Sequence, residues 1–147
     1  MSHSLTKIWT HGVFCTKDKQ SMIIVNHETD LYNHIKMNLI NDYGCFVKSI
    51  NGTDDHIHIL FLLNPNFSCT NIFKNIKGKS SHWWNQQKFS KTKFAWQTGY
   101  RAFSVSESMI DEVDKYIQIQ KQHHKKFTYT QEVELFMKKY GLQFLNR

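Results

Sequence analysis

The stretch "TDDHIHILFLL", residues 53–63, decides how this chain is read. It begins in alternation, with His56 and His58 separated by Ile57, and turns continuously apolar until "NPN" at 64–66 stops it. That pattern is a central strand covered on one face, closed by a proline turn. Side chains two residues apart on a strand share a face, so both imidazoles point the same way while Ile57 and Ile59 point oppositely. Two imidazoles so placed can bind one metal ion; a pair of half-exposed polar residues on an open sheet face is the other reading.

Outward from this strand, the pattern alternates between periods. Residues 5–16, "LTKIWTHGVFCT", are β-branched and aromatic enough for a strand, and 27–44 have helical spacing at Leu31, Ile35, Met37 and Leu39 with Gly44 as a stop. "CFVKSING" at 45–52 is a short strand, and 68–87 form a second helix with Ile72, Ile76 and Trp83 or Trp84 inward and Gly78 a weak point. "FAWQTGYRAFSVS", 94–106, is a fourth strand. Two overlapping capping signals, Ser104-x-x-Glu107 and Ser108-x-x-Asp111, open a helix running to about His124, and a last helix covers roughly 130–140. Strand, helix, strand, strand, helix, strand, then helices is the order of an α+β, ferredoxin-like split βαβ sandwich. It has an antiparallel, RRM-like sheet, helices on one face and a C-terminal helical extension. We expect one domain over 1–147, with the core at about 1–105 and the extension at about 106–147.

Composition narrows the partners. The formal charge is +7, with 19 basic residues spread through the chain, which suits a folded surface facing a polyanion, nucleic acid first. Lys74, Lys77 and Lys79 share the second helix and, with Arg101, form a candidate path for phosphates. Cys15, Cys45 and Cys69 show neither C-x-x-C spacing nor a disulfide framework. No apolar run approaches the roughly 18 residues of a membrane span, so a cytoplasmic protein without membrane contact is expected. "GKS" at 78–80 lacks the first glycine of a phosphate-binding loop, which would fall at Phe73, so no nucleotide cofactor is expected.

The second chemical element is "DKYIQIQKQHH", 114–124. Four residues apart on a helix, Tyr116 and Gln120 project together beside the apolar stripe of Ile110, Val113 and Ile117. A metal-assisted tyrosine can attack phosphorus, and an amide oxygen can complete a coordination sphere begun by imidazoles; a surface tyrosine with a solvated glutamine is the plain alternative. Asp54 and Asp55 could support a ligand imidazole or merely form the turn before the strand. His11 is either a neighbour of the site or a structural histidine; His123 and His124 could face the site or complement a helix end.

With these segments in order, "WTHGVFCTKDKQSMI", "DDHIHIL", "NIFKNIKGKSS", "WQTGYRAFSVSES" and "VDKYIQIQKQHH", the chain resembles the single-tyrosine HUH transposases of small insertion sequences, the IS200-like transposases, and their REP-associated relatives. The resemblance spans nearly the whole chain. It implies a DNA strand transferase of bacterial or archaeal type, acting near the nucleoid on single-stranded DNA with hairpins. It further implies that His56, His58 and Gln120 hold Mg2+ or Mn2+, that Tyr116 forms a 5′-phosphotyrosine, and that the protein is a homodimer whose subunits can share active sites. A domesticated relative cutting chromosomal repeats and a non-catalytic single-strand-binding module are the competing expectations.

Overall fold

The computed structural model describes residues 4–121 and 128–139. Four strands, β1 (Ile8–Cys15), β2 (Phe46–Gly52), β3 (His56–Leu63) and β4 (Arg101–Val105), form one sheet in the order β2-β3-β1-β4 with every neighbouring pair antiparallel. Helices α1 (Glu28–Tyr43) and α2 (Cys69–Gln87) lie between strands in sequence, giving the expected split βαβ order. Beyond the sheet come α3 (Ile110–Gln118) and α4 (Tyr129–Lys139).

The β1–β3 register sorts side chains by face. Phe14, Ile57, Ile59 and Phe61 point to α1 and α2, where they pack with Leu31, Ile35, Leu39, Ile72, Phe73, Ile76 and Trp84. Helix α1 carries Glu28 and Asp30 in its first turn, where they complement the dipole, and ends at Gly44, whose φ of 60° provides the left-handed cap that closes onto the carbonyls of Leu39 and Ile40. Helix α2 starts on the Ser68 hydroxyl, which accepts from the Asn71 amide at 3.1 Å, and runs unbroken through Gly78. Gly12 lets the two layers approach: a Cβ there would lie 2.4 Å from the Phe73 ring.

Three local expectations change. Met37 is exposed, so the inward apolar stripe of α1 is Leu31, Ile35 and Leu39, with Asn38 buried beside them. Residues 94–100 do not extend the last strand; they join the end of β1 through one isolated antiparallel bridge, Trp96 opposite Thr16, in which Lys17 N–H donates to the Ala95 carbonyl at 3.0 Å and Gln97 N–H to the Cys15 carbonyl at 2.8 Å, and side chains hold the backbone on either side of it. Asn85 binds both the N–H and the carbonyl of Phe94, and Lys77 Nζ donates to the carbonyls of Gln97 and Gly99. Neither capping signal forms: Ser104 stays in β4, and Glu107 turns to Lys7 (2.8 Å) and the Trp9 indole (2.6 Å). The helix accordingly begins later, at Ile110, and ends at Gln118.

The opposite face of the sheet is divided. Toward one end Trp9, Leu60 and Val105 receive Ile110, Val113 and Ile117 from α3. Toward the other end lie His56, His58 and His11, all fully buried.

Candidate metal centre and tyrosine

His56 and His58 share a face, as alternation requires, and their Nε2 atoms converge on one carboxylate. Glu132 Oε2, from α4, lies 2.8 Å from His56 Nε2 and 3.3 Å from His58 Nε2. Potential ligand atoms of these three fully buried residues all lie within 4.8 Å of one another. Behind His56, Nδ1–H donates to Asp55 Oδ1 at 2.7 Å with Thr53 Oγ1 at 3.0 Å, while the Thr53 hydroxyl itself donates to Asp55. This fixes the ring with Nε2 forward. The Asp54 carboxylate accepts from Ser21 and its carbonyl from the amides of Met22 and Ile23, so it anchors a loop.

Gln120 arrives through a break in its helix. α3 stops at Gln118, Ile119 leaves helical geometry, and Asn51 Nδ2 donates to the freed carbonyls of Ile117 and Gln118 at 3.0 Å each. Lys121 reinforces the joint by reaching Asn51, the Gly52 carbonyl and Glu28. Gln120 is thereby fully buried, its Nε2 donating to Glu132 Oε1 at 2.6 Å and lying 3.2 Å from His56 Nε2. Its Oε1 is a buried acceptor with no hydrogen-bond partner among the described residues. Tyr116 is half-buried with its ring edge-on to His58, centroids 5.9 Å apart, and its hydroxyl bonds to Glu132.

The electrostatics follow from this crowding. Burial alone would raise the Glu132 pKa, but hydrogen bonds and charge from His56 and His58 outweigh it and hold the carboxyl at about 2. Burial likewise disfavours a charged His56, yet Asp55 and Glu132 lift its pKa above the ordinary histidine value. Burial, then the Glu132 charge, pushes the Tyr116 phenol upward. The cluster is thus arranged around positive charge.

The remaining candidates separate. Arg101 and Lys74 are exposed. Arg101 pairs with Val13, itself opposite His58, so it lies on the site's face two strands away and lines a cleft of about 680 Å3 beside α4. Lys77 is turned inward onto the carbonyls of Gln97 and Gly99, its ammonium near the Phe14 ring, and Lys79 pairs with Asp42 at 3.0 Å. His123 and His124 lie outside the described residues. Glu132 is absent from the expected set. The signal for its helix was present in Thr128-x-x-Gln131, a reciprocal capping box in which Thr128 N–H donates to Gln131 Oε1 and Gln131 N–H to Thr128 Oγ1, but nothing local aims the next residue at a strand 74 positions away.

A ferredoxin-like sheet with a His-x-His strand under a tyrosine helix defines a class of DNA-processing proteins, and the comparisons assign the family. The family model for Transposase IS200 like matches residues 4–120, so the chain belongs to the IS200-like transposases. Among solved structures it is similar to a transposase candidate from Deinococcus radiodurans R1 (18% identity, 82% of this chain and 95% of that one, TM-score 0.62). It is also similar to a REP-associated tyrosine transposase bound to a REP hairpin (16% identity, 84% of this chain and 74% of that one, TM-score 0.62). These likenesses establish the fold. No curated protein matches the sequence. Among the described residues, no helix is long and apolar enough to cross a membrane.

Proposed function

We propose that this chain is a metal-dependent strand transferase that cleaves and rejoins single-stranded DNA at hairpin-flanked element ends through a 5′-phosphotyrosine. The observation that carries the reading is the convergence of His56, His58 and Glu132 with the Tyr116 hydroxyl beside them. The donor set fits a divalent cation: two imidazole nitrogens, a carboxylate, and in Gln120 Oε1 a buried acceptor without a partner. Oxygen donors beside the imidazoles suit Mg2+ or Mn2+. When bound, the ion supplies Lewis-acid neutralisation of phosphate charge.

Within this site the chain's own groups perform the exchange. Tyr116 Oη forms a bond to phosphorus, the P–O3′ bond breaks, and the departing 3′ oxygen takes up a proton. The phenol proton passes to solvent, because Glu132, held at about 2, is too weak a base to keep it. Attack by another 3′-OH then releases Tyr116. One phosphodiester replaces another at each step, so no nucleotide hydrolysis is required. The exposure of Arg101 on the site's face of the sheet supports a role in binding strand phosphates; Lys74 is exposed on α2, and Lys77 and Lys79 serve first as internal ties. The hairpin bound by the REP-associated neighbour supports hairpin DNA as partner. A homodimer acting on nucleoid DNA, whose subunits can share active sites, belongs to the same reading.

The test is incubation with labelled single-stranded DNA from the flanks of its own gene plus Mn2+. Wild type is expected to give a denaturant-resistant protein–DNA adduct and Tyr116→Phe none; an adduct of equal yield in Tyr116→Phe would refute the assignment.

A further inference from the structure

His11 is fully buried on β1 and takes no part in the chemistry described so far. It lies on the same sheet face as the two histidines of β3, diagonal to His58, and its Nε2 is 2.9 Å from His58 Nδ1. The two rings tilt by only 31°, and Phe103 packs against the His11 ring with centroids 6.1 Å apart. The centre is therefore supported unequally. His56 is backed by a carboxylate from the residue before it, His58 by a neutral-capable ring from another strand.

We propose that His11 is the positioning residue of the metal centre: it accepts the Nδ1–H of His58 and so holds that ring with the Nε2 lone pair facing Glu132 and Gln120. The inference rests on the metal-centre reading above. An imidazole can turn about χ2 and present either nitrogen, and the partner on its far side decides which. Loss of His11 would remove this 2.9 Å bond from a fully buried nitrogen, and the ring would gain by turning. The arrangement requires His11 to carry its own proton on Nδ1. It also adds no negative charge, in contrast to Asp55.

The test is Mn2+ binding, followed by electron paramagnetic resonance of the free ion, in wild type, His11→Phe and His11→Gln, with thermal melting of each metal-free protein as a check on folding. His11→Phe keeps the ring's shape without an acceptor and should lose roughly 10–100-fold in affinity. His11→Gln, whose amide oxygen reaches the place of Nε2, should recover most of that loss, which a packing role would not predict. Co2+ absorption should report an altered ligand field in His11→Phe alone. Wild-type affinity in His11→Phe, or equal losses in the two variants, would overturn the proposal. Failure of wild type itself to bind Mn2+ would instead overturn the metal-centre reading on which it rests.

Discussion

The two faces of one sheet have been put to opposite uses, and β3 serves both. Ile57, Ile59 and Phe61 enter a predominantly apolar core with α1 and α2, while His56 and His58, equally buried, enter a cluster of ionisable and amide groups. The first face gains from every apolar atom removed from water. The second gives up hydration of two imidazoles, a carboxylate and an amide, a cost that is tolerable only because nearly every buried polar atom there has a partner. Burial alone therefore says little about role; the face that gathers buried ionisable groups is the candidate functional face.

If the two faces are separable, damage to one should spare the other. Phe73→Ala should remove about 3–5 kcal/mol of stability by denaturant melts while leaving Mn2+ affinity of the folded fraction unchanged. A parallel loss of affinity would show the faces to be coupled. His56→Ala should do the converse, reducing Mn2+ affinity and DNA cleavage by more than about 100-fold, beyond the usual effect of a supporting residue, with the apolar core still giving a cooperative transition.

Glu132→Gln sharpens the comparison through pH. In the metal-free protein Glu132, held at about 2 against an ordinary 4.5, contributes stability that is present above 4.5 and lost as pH falls toward 2. His56, raised above an ordinary 6.5, contributes stability that is complete below 6.5 and lost as pH rises through its folded value. The stability difference between wild type and Glu132→Gln should therefore be greatest between pH 4.5 and 6.5 and shrink on both sides. Saturating Mn2+ should abolish the alkaline loss, because the ion then takes the proton's place. A pH-independent difference would remove Glu132 from the charged cluster. The smallest expected effect is that of Lys74→Ala, which should weaken single-strand binding without sequence preference and reduce the salt slope by about 0.7.

The sequence displayed the β3 histidines, the strand and helix order and the tyrosine–glutamine pair, because each rests on a local period. What it concealed rests on contacts that no period records. Residues 94–100 satisfy strand alternation with Phe94 and Trp96, yet pairing shrinks to one bridge between Trp96 and Thr16, with Asn85 holding the Phe94 backbone and Lys77 the carbonyls of Gln97 and Gly99 on either side. Tyr116 and Gln120 are spaced for one continuous helix, yet Gln120 reaches the centre through a break that Asn51 stabilises. Glu132 is an acid on an otherwise ordinary amphipathic helix, made special only by where the chain returns.

The central claim is that the polar half of the sheet is a metal centre. Anomalous diffraction from crystals of the wild-type protein soaked in Mn2+ tests it most directly. The account predicts one strong peak within bonding distance of His56 Nε2, His58 Nε2 and an oxygen of Glu132 or Gln120; no peak there, with the Glu132 carboxylate still hydrogen-bonded to both imidazoles, would contradict it.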